Sequence, residues 1–354
     1  MRILIATDAW RPQVNGVLHT LEANAQAAKA LGAEVVFLNP EGFPSVGMPS
    51  YPGIRLALPR RREIFRRIAD IGPDAIHIAT EGPIGHFARW YCVTNRRPFT
   101  TSFHTRFTDY AAARFPVPEG WTWTWLRWFH NAGRGTMVST ASLAQELRMR
   151  GFHTVLRWPR GVDSRLFHPD RARDLSLPRP VFLTVGRLAV EKNVEAFLGL
   201  DLPGSKVVVG DGPARDMLAR RFPNAAFLGT RRGAELASIY AAADVFVFPS
   251  RTDTFGLVLL EALASGLPIA GFPVATTRDV VGTAPVAALD DDLRAACLKA
   301  LTIPRAACRR HAEAATWEES ARCFIGNLVP MPKLAVETTK KPAPRLHHLQ
   351  DMEL

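Results

Sequence analysis

The feature of this sequence that most constrains its fold is the alternation of short β-rich apolar runs with amphipathic helical stretches. Strands joined by helices in this way form parallel sheets that are covered by helices. The pattern runs through Arg150, is interrupted by a stretch rich in Pro, Arg and Asp (Trp158–Pro180), and restarts at Val181. We therefore predict an α/β chain of two tandem Rossmann-like, doubly wound domains whose strands end at a common cleft.

The expected elements follow the hydrophobic periodicity, which is two residues for strands and 3.6 for helices. In the first half, strands are expected at Arg2–Thr7, Glu34–Asn39, Ala75–Ala79, Phe99–Phe103 and Thr136–Ser139. In the second half, they are expected at Val181–Val185, Lys206–Val209, Ala226–Leu228, Val245–Phe248 and Pro268–Ala270. The predicted units are an N-terminal domain (1–165), a C-terminal domain (166–304), terminal helices that return to the N-terminal domain (305–329) and a disordered tail (330–354).

Charge is distributed unevenly between the two halves. Residues 1–165 hold 21 Lys and Arg against 12 Asp and Glu, a net of +9, whereas residues 166–354 hold 23 against 21, a net of +2. The basic half suits an anionic partner surface, although a solvated Arg-rich surface would give the same count. The four cysteines have no pairing or metal spacing, which is typical of idle thiols in a reducing cytoplasm.

No targeting, membrane-spanning or metal-binding segment is expected. The first residues already have a strand pattern, and the longest uncharged stretch, Ala262–Thr277, is interrupted by two Gly and two Pro. The tail contains a histidine pair, His347 and His348, which can bind a metal but is more simply explained as solvated. Because no cluster has the ligand spacing of a metal site, we predict no metal and no cofactor.

Two segments of the second half carry charged groups at the carboxyl ends of predicted strands. Asp253 follows the apolar run Val245–Pro249, and Glu261 lies eight positions later, inside a predicted helix. Carboxylates at a strand-to-helix junction accept paired hydrogen bonds from vicinal hydroxyls of a sugar or a ribose. Upstream, Arg187 and Lys192 flank the start of another predicted helix, which is a suitable site for a diphosphate. Together these groups indicate a nucleotide-sugar ligand.

Several motifs occur in a characteristic order between Met1 and Asn327. They are Asp8-Ala-Trp-Arg-Pro-Gln-Val-Asn-Gly16-Val17, Ser102-Phe-His104-Thr105, Arg160-Gly-Val-Asp163 with Phe167-His-Pro169, Gly186-Arg187 through Lys192-Asn193, Gly210-Asp-Gly-Pro213, and Asp253 through Glu261. In order and spacing, this set resembles the retaining, nucleotide-sugar-dependent glycosyltransferases of GT-B architecture. That family 4-like group includes bacterial lipid glucosyl-, glucuronosyl- and mannosyltransferases.

The resemblance implies roles for individual residues. Arg187 and Lys192 match residues that bind the donor phosphates, and Glu261 matches the glutamate that holds the ribose. Asp253 matches the first acidic position of the family's Glu-x7-Glu pattern but is one methylene shorter, and its alternative role is to cap the following helix. His104, which ends an apolar strand, is implied to contact the transferred sugar near its anomeric centre, with a purely structural histidine as the alternative.

Gly16 completes the predicted donor site. It falls between the first strand and the following helix, where a residue without a side chain lets a diphosphate approach the backbone amides; an ordinary turn glycine is the alternative. The candidate catalytic residues are therefore His104, Arg187, Lys192 and Asp253. The candidate donor-binding residues are Gly16, Arg187, Lys192, Asp253 and Glu261.

Half of the eight tryptophans lie between Trp121 and Trp128. On a helix, Trp121, Trp125 and Trp128 share a face, and Arg127 lies elsewhere around it. Tryptophan with neighbouring arginine suits the headgroup region of a bilayer, and Arg60–Arg62 can add attraction to anionic lipid. We therefore predict that these residues contact a lipid acceptor or an anionic membrane surface, with packing in the first core as the alternative.

The leading hypothesis is a metal-independent, retaining hexosyltransferase that moves a hexose or hexuronate to a membrane lipid such as diacylglycerol. UDP-glucose or UDP-glucuronate is the favoured donor, and Arg251 can pair with a uronate carboxyl or be solvated. The rival enzyme hypothesis is a GDP-mannose-dependent α-mannosyltransferase acting on an inositol lipid or a saccharide. The non-enzyme alternative is a basic nucleic-acid-binding protein, but no recognised nucleic-acid module is present. The expected location is cytoplasmic, attached peripherally to the inner face of the cell membrane.

Overall fold

The structure, a computed structural model, describes residues 1–11, 16–48, 51–104 and 118–331. The strands of its first half are β1 (Arg2–Ala6), β2 (Glu34–Leu38), β3 (Ser45–Met48), β4 (Tyr51–Ala57), β5 (Ala75–Ile78), β6 (Thr100–Ser102), β7 (Thr136–Val138) and β8 (Val155–Arg157). The helices of the first half are α1 (Gly16–Ala30), α2 (Arg61–Ile71), α3 (Pro83–Thr94), α4 (Glu119–His130) and α5 (Ala141–Met149).

The second half repeats the alternation of strands and helices. Its strands are β9 (Val181–Val185), β10 (Ser205–Val209), β11 (Ala226–Phe227), β12 (Val245–Phe248), β13 (Ile269–Gly271) and β14 (Ala287–Leu289). Its helices are α6 (Val194–Leu198), α7 (Arg215–Arg221), α8 (Gly233–Ala242), α9 (Leu257–Ala264), α10 (Ala275–Val281), α11 (Leu293–Ala300), α12 (Arg305–Glu313) and α13 (Trp317–Asn327). Two 3-10 turns, Pro169–Arg171 and Val190–Lys192, complete this half.

Each half contains a six-stranded sheet. The strand orders are β2-β1-β5-β6-β7-β8 and β11-β10-β9-β12-β13-β14, and neighbouring strands within both sheets pair in parallel. The first strand of each half, β1 or β9, lies inside its sheet with later strands on both sides, so the winding reverses there. The predicted α/β fold with two doubly wound parallel sheets is therefore confirmed.

The cores lie on both faces of each sheet because successive strand residues point to opposite sides. On β1, Ile3 and Ile5 pack in a cluster that contains Phe324 of α13. The intervening Leu4 packs on the opposite face with Ile64 of α2. Strands that are buried on both faces are mostly apolar, which explains the nearly continuous apolar runs in the sequence.

Three short elements were not predicted: β8, β14 and the antiparallel hairpin β3–β4. The strand β14 contains only Ala, Ala and Leu, so neither β-branched residues nor alternation reveals it. The terminal helices also differ from the expectation that both return to the first domain. Only α13 packs on α1, whereas α12 contributes Cys308 and Ala312 to the core of the second sheet.

The segment predicted as a linker begins as a packed crossing. Trp158 is fully buried, its ring lies 4.7 Å from that of Phe324, and its Nε1 donates to the hydroxyl of Ser320 (3.1 Å). The chain between the sheets is therefore fixed against α13 at its start. Most of the predicted disordered tail, with His347 and His348, lies outside the described residues.

Candidate active site

The carboxyl ends of the two sheets meet through hydrogen bonds. The hydroxyl of Thr254, in the loop after β12, donates to the backbone carbonyl of His104, just beyond β6 (2.7 Å). The hydroxyl of Ser139, after β7, donates to the backbone carbonyl of Thr254 (3.3 Å). Because ligands of parallel α/β sheets bind beyond the carboxyl ends of the strands, this junction is where a site is expected.

A second contact between the halves joins α10 to α5. The carboxylate of Asp279 accepts hydrogen bonds from the hydroxyl (2.9 Å) and the backbone amide (3.2 Å) of Ser142. Ser142 lies in the first turn of α5, where amides have no acceptor within the helix and a negative charge is favourable. The two halves are thus held together on both sides of the junction.

Lys192 and Asp253 form an ion pair at this junction. Lys192 ends a 3-10 turn, and the next residue, Asn193, adopts a left-handed backbone (φ 52°) and donates its side-chain amide to the carbonyl of Pro249 (3.1 Å). Asp253 lies in the loop after β12, and α9 begins without a side-chain cap. The alternative in which Asp253 caps that helix is therefore excluded, and its carboxylate instead holds the lysine.

The loop that carries Arg187 is fixed by an unusually close backbone approach. A Cβ on Gly210 (φ 137°) would lie 1.8 Å from the carbonyl oxygen of Gly186, and a Cβ on Gly212 (φ 155°) would lie 2.4 Å from that of Leu188. Only glycine satisfies both the space and the backbone conformation at these two positions. The loop after β10 therefore packs directly against the loop that carries Arg187, and this contact gives the half-buried arginine a defined position.

Glu261 lies in α9 and is held by Tyr240 of α8. The phenol of Tyr240 donates to Glu261 Oε2 (3.0 Å); Tyr240 is fully buried and Glu261 is partly buried. Burial raises the pKa of Glu261 to about 7, and the hydrogen bond from Tyr240 partly opposes this rise. Burial also raises the pKa of Tyr240, so the phenol remains a donor. One carboxylate oxygen is thus occupied, and Oε1 makes no hydrogen bond to any described residue.

His104 is enclosed by aromatic and cationic groups. Its Nδ1 lies 3.3 Å from a guanidinium nitrogen of Arg160, and its ring stands edge-on to Trp158 at 5.6 Å. Burial lowers the pKa of His104 well below its ordinary value, and Arg160, His77 and His130 lower it further. The imidazole is therefore neutral at physiological pH.

Two buried polar atoms at the junction lack a hydrogen-bond partner among the described residues: His104 Nε2 and Asp253 Oδ2. They belong to neighbouring segments, because Thr254 follows Asp253 and is bonded to the backbone of His104. An unmatched buried polar atom is costly unless a ligand or water completes it. The junction thus offers two polar atoms that no described residue satisfies, and one of them belongs to the ion-pair partner of Lys192.

Gly16 is the first residue of α1 and faces the second half. A Cβ at this position would lie 3.7 Å from Leu257 Cδ1, an ordinary van der Waals contact. The surrounding protein therefore does not require a glycine here. The four residues that precede Gly16 in its motif lie outside the described residues.

The tryptophans of α4 have different environments. Trp121 and Trp128 are 74% and 53% exposed, Trp125 is partly buried and packs on His86, and Trp123 is buried against Phe103. The predicted common face is therefore exposed at two of its three positions.

Neighbouring groups extend this exposed surface. Trp90 of α3 is 44% exposed, and the guanidinium of Arg61 lies 4.4 Å from its ring centre. The guanidinium of Arg89 lies 3.7 Å from the ring centre of Trp128. Arg127 is tied to the protein instead, since it donates to the carbonyl of Arg150 (3.2 Å).

Some candidate site residues were not singled out by sequence reasoning. Tyr240 and Asp279 belong to no motif that we recognised, and Arg160 belongs to a motif without an assigned role. Their partners lie 21, 137 and 56 positions away in the chain, so no local pattern could reveal them. Among the described residues, no group of three or more His, Cys, Asp and Glu side chains is arranged to hold a metal ion. None of the described helices combines the length and apolar character needed to cross a bilayer.

Two family models match this chain, one in each half. Residues 14–166 match the model described as Glycosyltransferase Family 4, and residues 179–302 match the model described as Glycosyl transferases group 1. The two matches include the predicted donor site residues in the second half and His104 in the first.

Curated relatives cover most of the chain. It is 30% identical over 312 residues to a GDP-mannose-dependent alpha-mannosyltransferase of Mycobacterium tuberculosis, covering 79% of this chain and 81% of that protein. It is 31% identical over 274 residues to the sulfoquinovosyl transferase SQD2 of Arabidopsis thaliana, covering 71% and 51%. It is 28% identical over 328 residues to an alpha-monoglucosyldiacylglycerol synthase of Acholeplasma laidlawii, covering 76% and 79%.

Solved structures share the two-sheet fold. Sucrose-phosphate synthase from Thermosynechococcus elongatus superposes with a TM-score of 0.71 at 18% identity, covering 92% of this chain and 97% of that one. Anabaena HepE, solved in complex with UDP-glucose, superposes with a TM-score of 0.66 at 14% identity, covering 92% and 99%. At these identities the likeness concerns the fold alone.

Proposed function

The chain belongs to the family 4 glycosyltransferases, enzymes of GT-B architecture that use nucleotide-sugar donors, and we propose that it transfers a hexosyl or hexuronosyl group to a membrane lipid hydroxyl with retention at the anomeric carbon. The observation that carries the proposal is the pair of buried, unpartnered atoms His104 Nε2 and Asp253 Oδ2. A sugar hydroxyl both donates and accepts, so one ring can satisfy the two atoms together. The diphosphate would then lie against Lys192 and Arg187.

The proposed reaction exchanges one bond at the anomeric carbon for another. The bond from this carbon to the diphosphate oxygen breaks, the acceptor oxygen bonds to the carbon on the same face, and the acceptor proton passes to a phosphate oxygen. Negative charge grows on the departing diphosphate, and Arg187 and Lys192 stabilise that charge most in the transition state. Asp253 holds Lys192 in place through Oδ1 and leaves Oδ2 for a sugar hydroxyl.

We favour UDP-glucose or UDP-glucuronate as donor and diacylglycerol as acceptor. The relative from Acholeplasma laidlawii is an alpha-monoglucosyldiacylglycerol synthase by name, which supports a glucosyl group and a diacylglycerol acceptor. Arg251 lies two residues before Asp253, and its guanidinium is 3.6 Å from the ring centre of Phe272. A cation held at this position can pair with a uronate carboxylate.

GDP-mannose is the second candidate donor. Three curated relatives at 30–32% identity, which match 77–79% of this chain, are GDP-mannose-dependent alpha-mannosyltransferases by name. The acceptor in this case would be an inositol lipid or a saccharide. The donor site residues described above are equally suited to either base, because they contact ribose, phosphate and hexose.

The direct test is to incubate the purified protein with UDP-glucose, UDP-glucuronate or GDP-mannose, each combined separately with diacylglycerol liposomes, inositol-lipid liposomes or a saccharide acceptor. We expect a new glycolipid on thin-layer chromatography with a UDP-sugar, and an α-linkage by NMR because these UDP-sugars are α-linked. A product only from GDP-mannose and an inositol lipid or saccharide would establish the second candidate. A β-linked product would contradict retention, and no lipid product from any donor would contradict the lipid acceptor.

We expect transfer to survive chelation of divalent metals. Arg187 and Lys192 provide the positive charge that a divalent ion provides in other phosphate-releasing sites. The measurement is the initial rate with excess EDTA against the rate with added magnesium or manganese. Loss of activity with EDTA that either metal restores would show that the two cations are insufficient.

We further propose that the exposed Trp surface of α3 and α4 docks on the inner face of an anionic membrane. The double change Trp121→Ala and Trp128→Ala should weaken co-sedimentation with anionic liposomes, because it removes apolar area at the bilayer interface. Donor binding should persist, and added salt should weaken binding of the unmodified protein. Met217→Ala, which removes an exposed apolar side chain from the second half, is the matched control.

Trp123→Ala distinguishes surface from core on the same helix. This ring is buried, so its removal should destabilise the protein by about 3–5 kcal/mol, measured by denaturant unfolding. If the double variant at Trp121 and Trp128 unfolds to the same extent, these rings are part of the core. If it remains folded and still sediments fully with liposomes, this surface is not the docking site.

A further inference from the structure

Arg160 is a buried cation on the crossing between the two sheets. Its side chain is almost fully buried, Nη1 donates to the carbonyl of Trp158 (2.7 Å), and its guanidinium lies 4.3 Å from the centre of that ring. No carboxylate among the described residues forms an ion pair with it. Burial lowers the pKa of Arg160 to about 9, and Arg157 contributes to the decrease. A buried charge without a counter-ion is costly, so its presence calls for a reason.

The remaining contact of the guanidinium is with His104. Nη2 of Arg160 lies 3.3 Å from His104 Nδ1. A guanidinium has only donors, so Nδ1 must accept, and the single proton of the neutral ring must be on Nε2. Nε2 is the buried atom of His104 that has no partner among the described residues. The arginine therefore determines which ring nitrogen carries the proton at the proposed hexose site.

His77, a nearby buried histidine, shows the contrast. Its Nδ1 and Nε2 lie 2.9 Å and 3.1 Å from the hydroxyls of Thr100 and Ser102. A hydroxyl can donate or accept, so these partners are compatible with either tautomer of His77. His104 is bonded at Nδ1 by a group that cannot accept, and its other ring nitrogen is buried without a hydrogen-bond partner among the described residues.

We propose that Arg160 is the positioning residue that fixes His104 as the neutral, Nε2-protonated tautomer and so presents an N–H donor to a hydroxyl of the transferred sugar. This inference rests on the proposed function, because it takes His104 to contact the hexose. Without Arg160, the imidazole distributes its proton over both nitrogens, and part of the protein presents an acceptor where a donor is needed.

The test compares Arg160→Met, which removes the donor at similar length, with Arg160→Lys, which retains a group that can only donate. Side-chain 15N NMR reports the tautomer of His104, and the loss of its signals in His104→Ala assigns them. We expect Nε2 protonation in the unmodified protein and in Arg160→Lys, and a tautomer mixture in Arg160→Met. Nδ1 protonation in the unmodified protein would overturn the proposal even if Arg160→Met does not fold.

Kinetics separates positioning from a structural role. In Arg160→Met, kcat should fall roughly three- to tenfold, the size expected for weakening one neutral hydrogen bond, with little change in the donor KM. Arg160→Lys should recover most of the rate. A folded Arg160→Met with normal kcat, or a folded Arg160→Lys as slow as Arg160→Met, would contradict the proposal.

A double-variant cycle tests whether Arg160 acts through His104. If it does, Arg160→Met should cause no further loss in a His104→Ala background. A full additional loss would show that Arg160 acts by another route and would overturn the inference. If His104→Ala alone retains full activity, the proposed contact of His104 with the sugar fails, and the tautomer measurement still decides whether Arg160 controls the ring.

Discussion

Replacing Arg187 or Lys192 by Ala should lower turnover by about 30- to 1,000-fold, which corresponds to about 2–4 kcal/mol of lost transition-state stabilisation. Lys192 lies at the junction in an ion pair with Asp253, and in the proposed reaction the charge that both cations neutralise grows as the diphosphate departs. Lys192→Ala also leaves the partly buried carboxylate of Asp253 without its partner. The measurement is kcat at saturating donor together with circular dichroism.

The control for this pair is Arg220→Ala, which removes an exposed cation of α7 from the same half. It should leave kcat unchanged, so that a general loss of positive charge is separated from loss of the site. Arg187→Lys should restore little activity, because a single ammonium does not reproduce the two-pronged contact of a guanidinium. Near-normal rates for both alanine variants would remove these residues from the mechanism.

Asp253→Asn and Glu261→Gln should impair the enzyme in different ways. Asp253 lies next to the proposed hexose site, so Asp253→Asn should mainly lower kcat. Glu261 lies farther along α9, and one of its carboxylate oxygens is held by Tyr240. Glu261→Gln should mainly raise the donor KM, because its contact with the ribose hydroxyls becomes weaker. Steady-state kinetics with varied donor separates the two. The same pure KM defect in both variants would show that Asp253 is not near the reacting sugar.

The raised pKa of Glu261 adds a pH dependence with a defined sign. The carboxyl has a pKa of about 7, so below this pH it is protonated and becomes a poorer acceptor for ribose. For the donor, kcat/KM should therefore fall as the pH drops below about 7. Glu261→Gln should remove this acidic limb of the pH profile. Tyr240→Phe deletes a hydrogen bond that lowers the pKa of Glu261, so it should move the limb to higher pH. A limb that persists in Glu261→Gln belongs to another group.

The two sheets could be predicted from the sequence because the strand and helix patterns that identify them are local. Runs such as Val181–Val185 are apolar at four of five positions and are followed by helical periodicity, and both features can be recognised without knowing the partner strand. The same reasoning missed β14, whose three residues, Ala, Ala and Leu, form a strand only because β13 offers a hydrogen-bonded edge. It also misjudged α12, since an amphipathic pattern identifies a buried face but not the surface that buries it.

The Trp-rich helix shows the same limit for surfaces. The 3.6-residue period correctly separates Trp123 from Trp121 and Trp128, and the structure buries the first and exposes the other two. Periodicity alone left open which face met the core. That choice depends on Phe103, just beyond β6, and on Phe152, in the loop before β8, which both pack on the ring of Trp123.

By itself, the sequence determined the fold class and the candidate charged residues, because strand patterns, helix patterns and strand-end motifs each occupy only a short stretch of consecutive residues. Only the tertiary structure decided how those residues are paired. The bond from Thr254 to His104 spans 150 positions and that from Ser142 to Asp279 spans 137. Such contacts exist only once the strands of two separate sheets end at the same junction, since hydrogen bonds require atoms within about 3 Å whatever their separation along the chain.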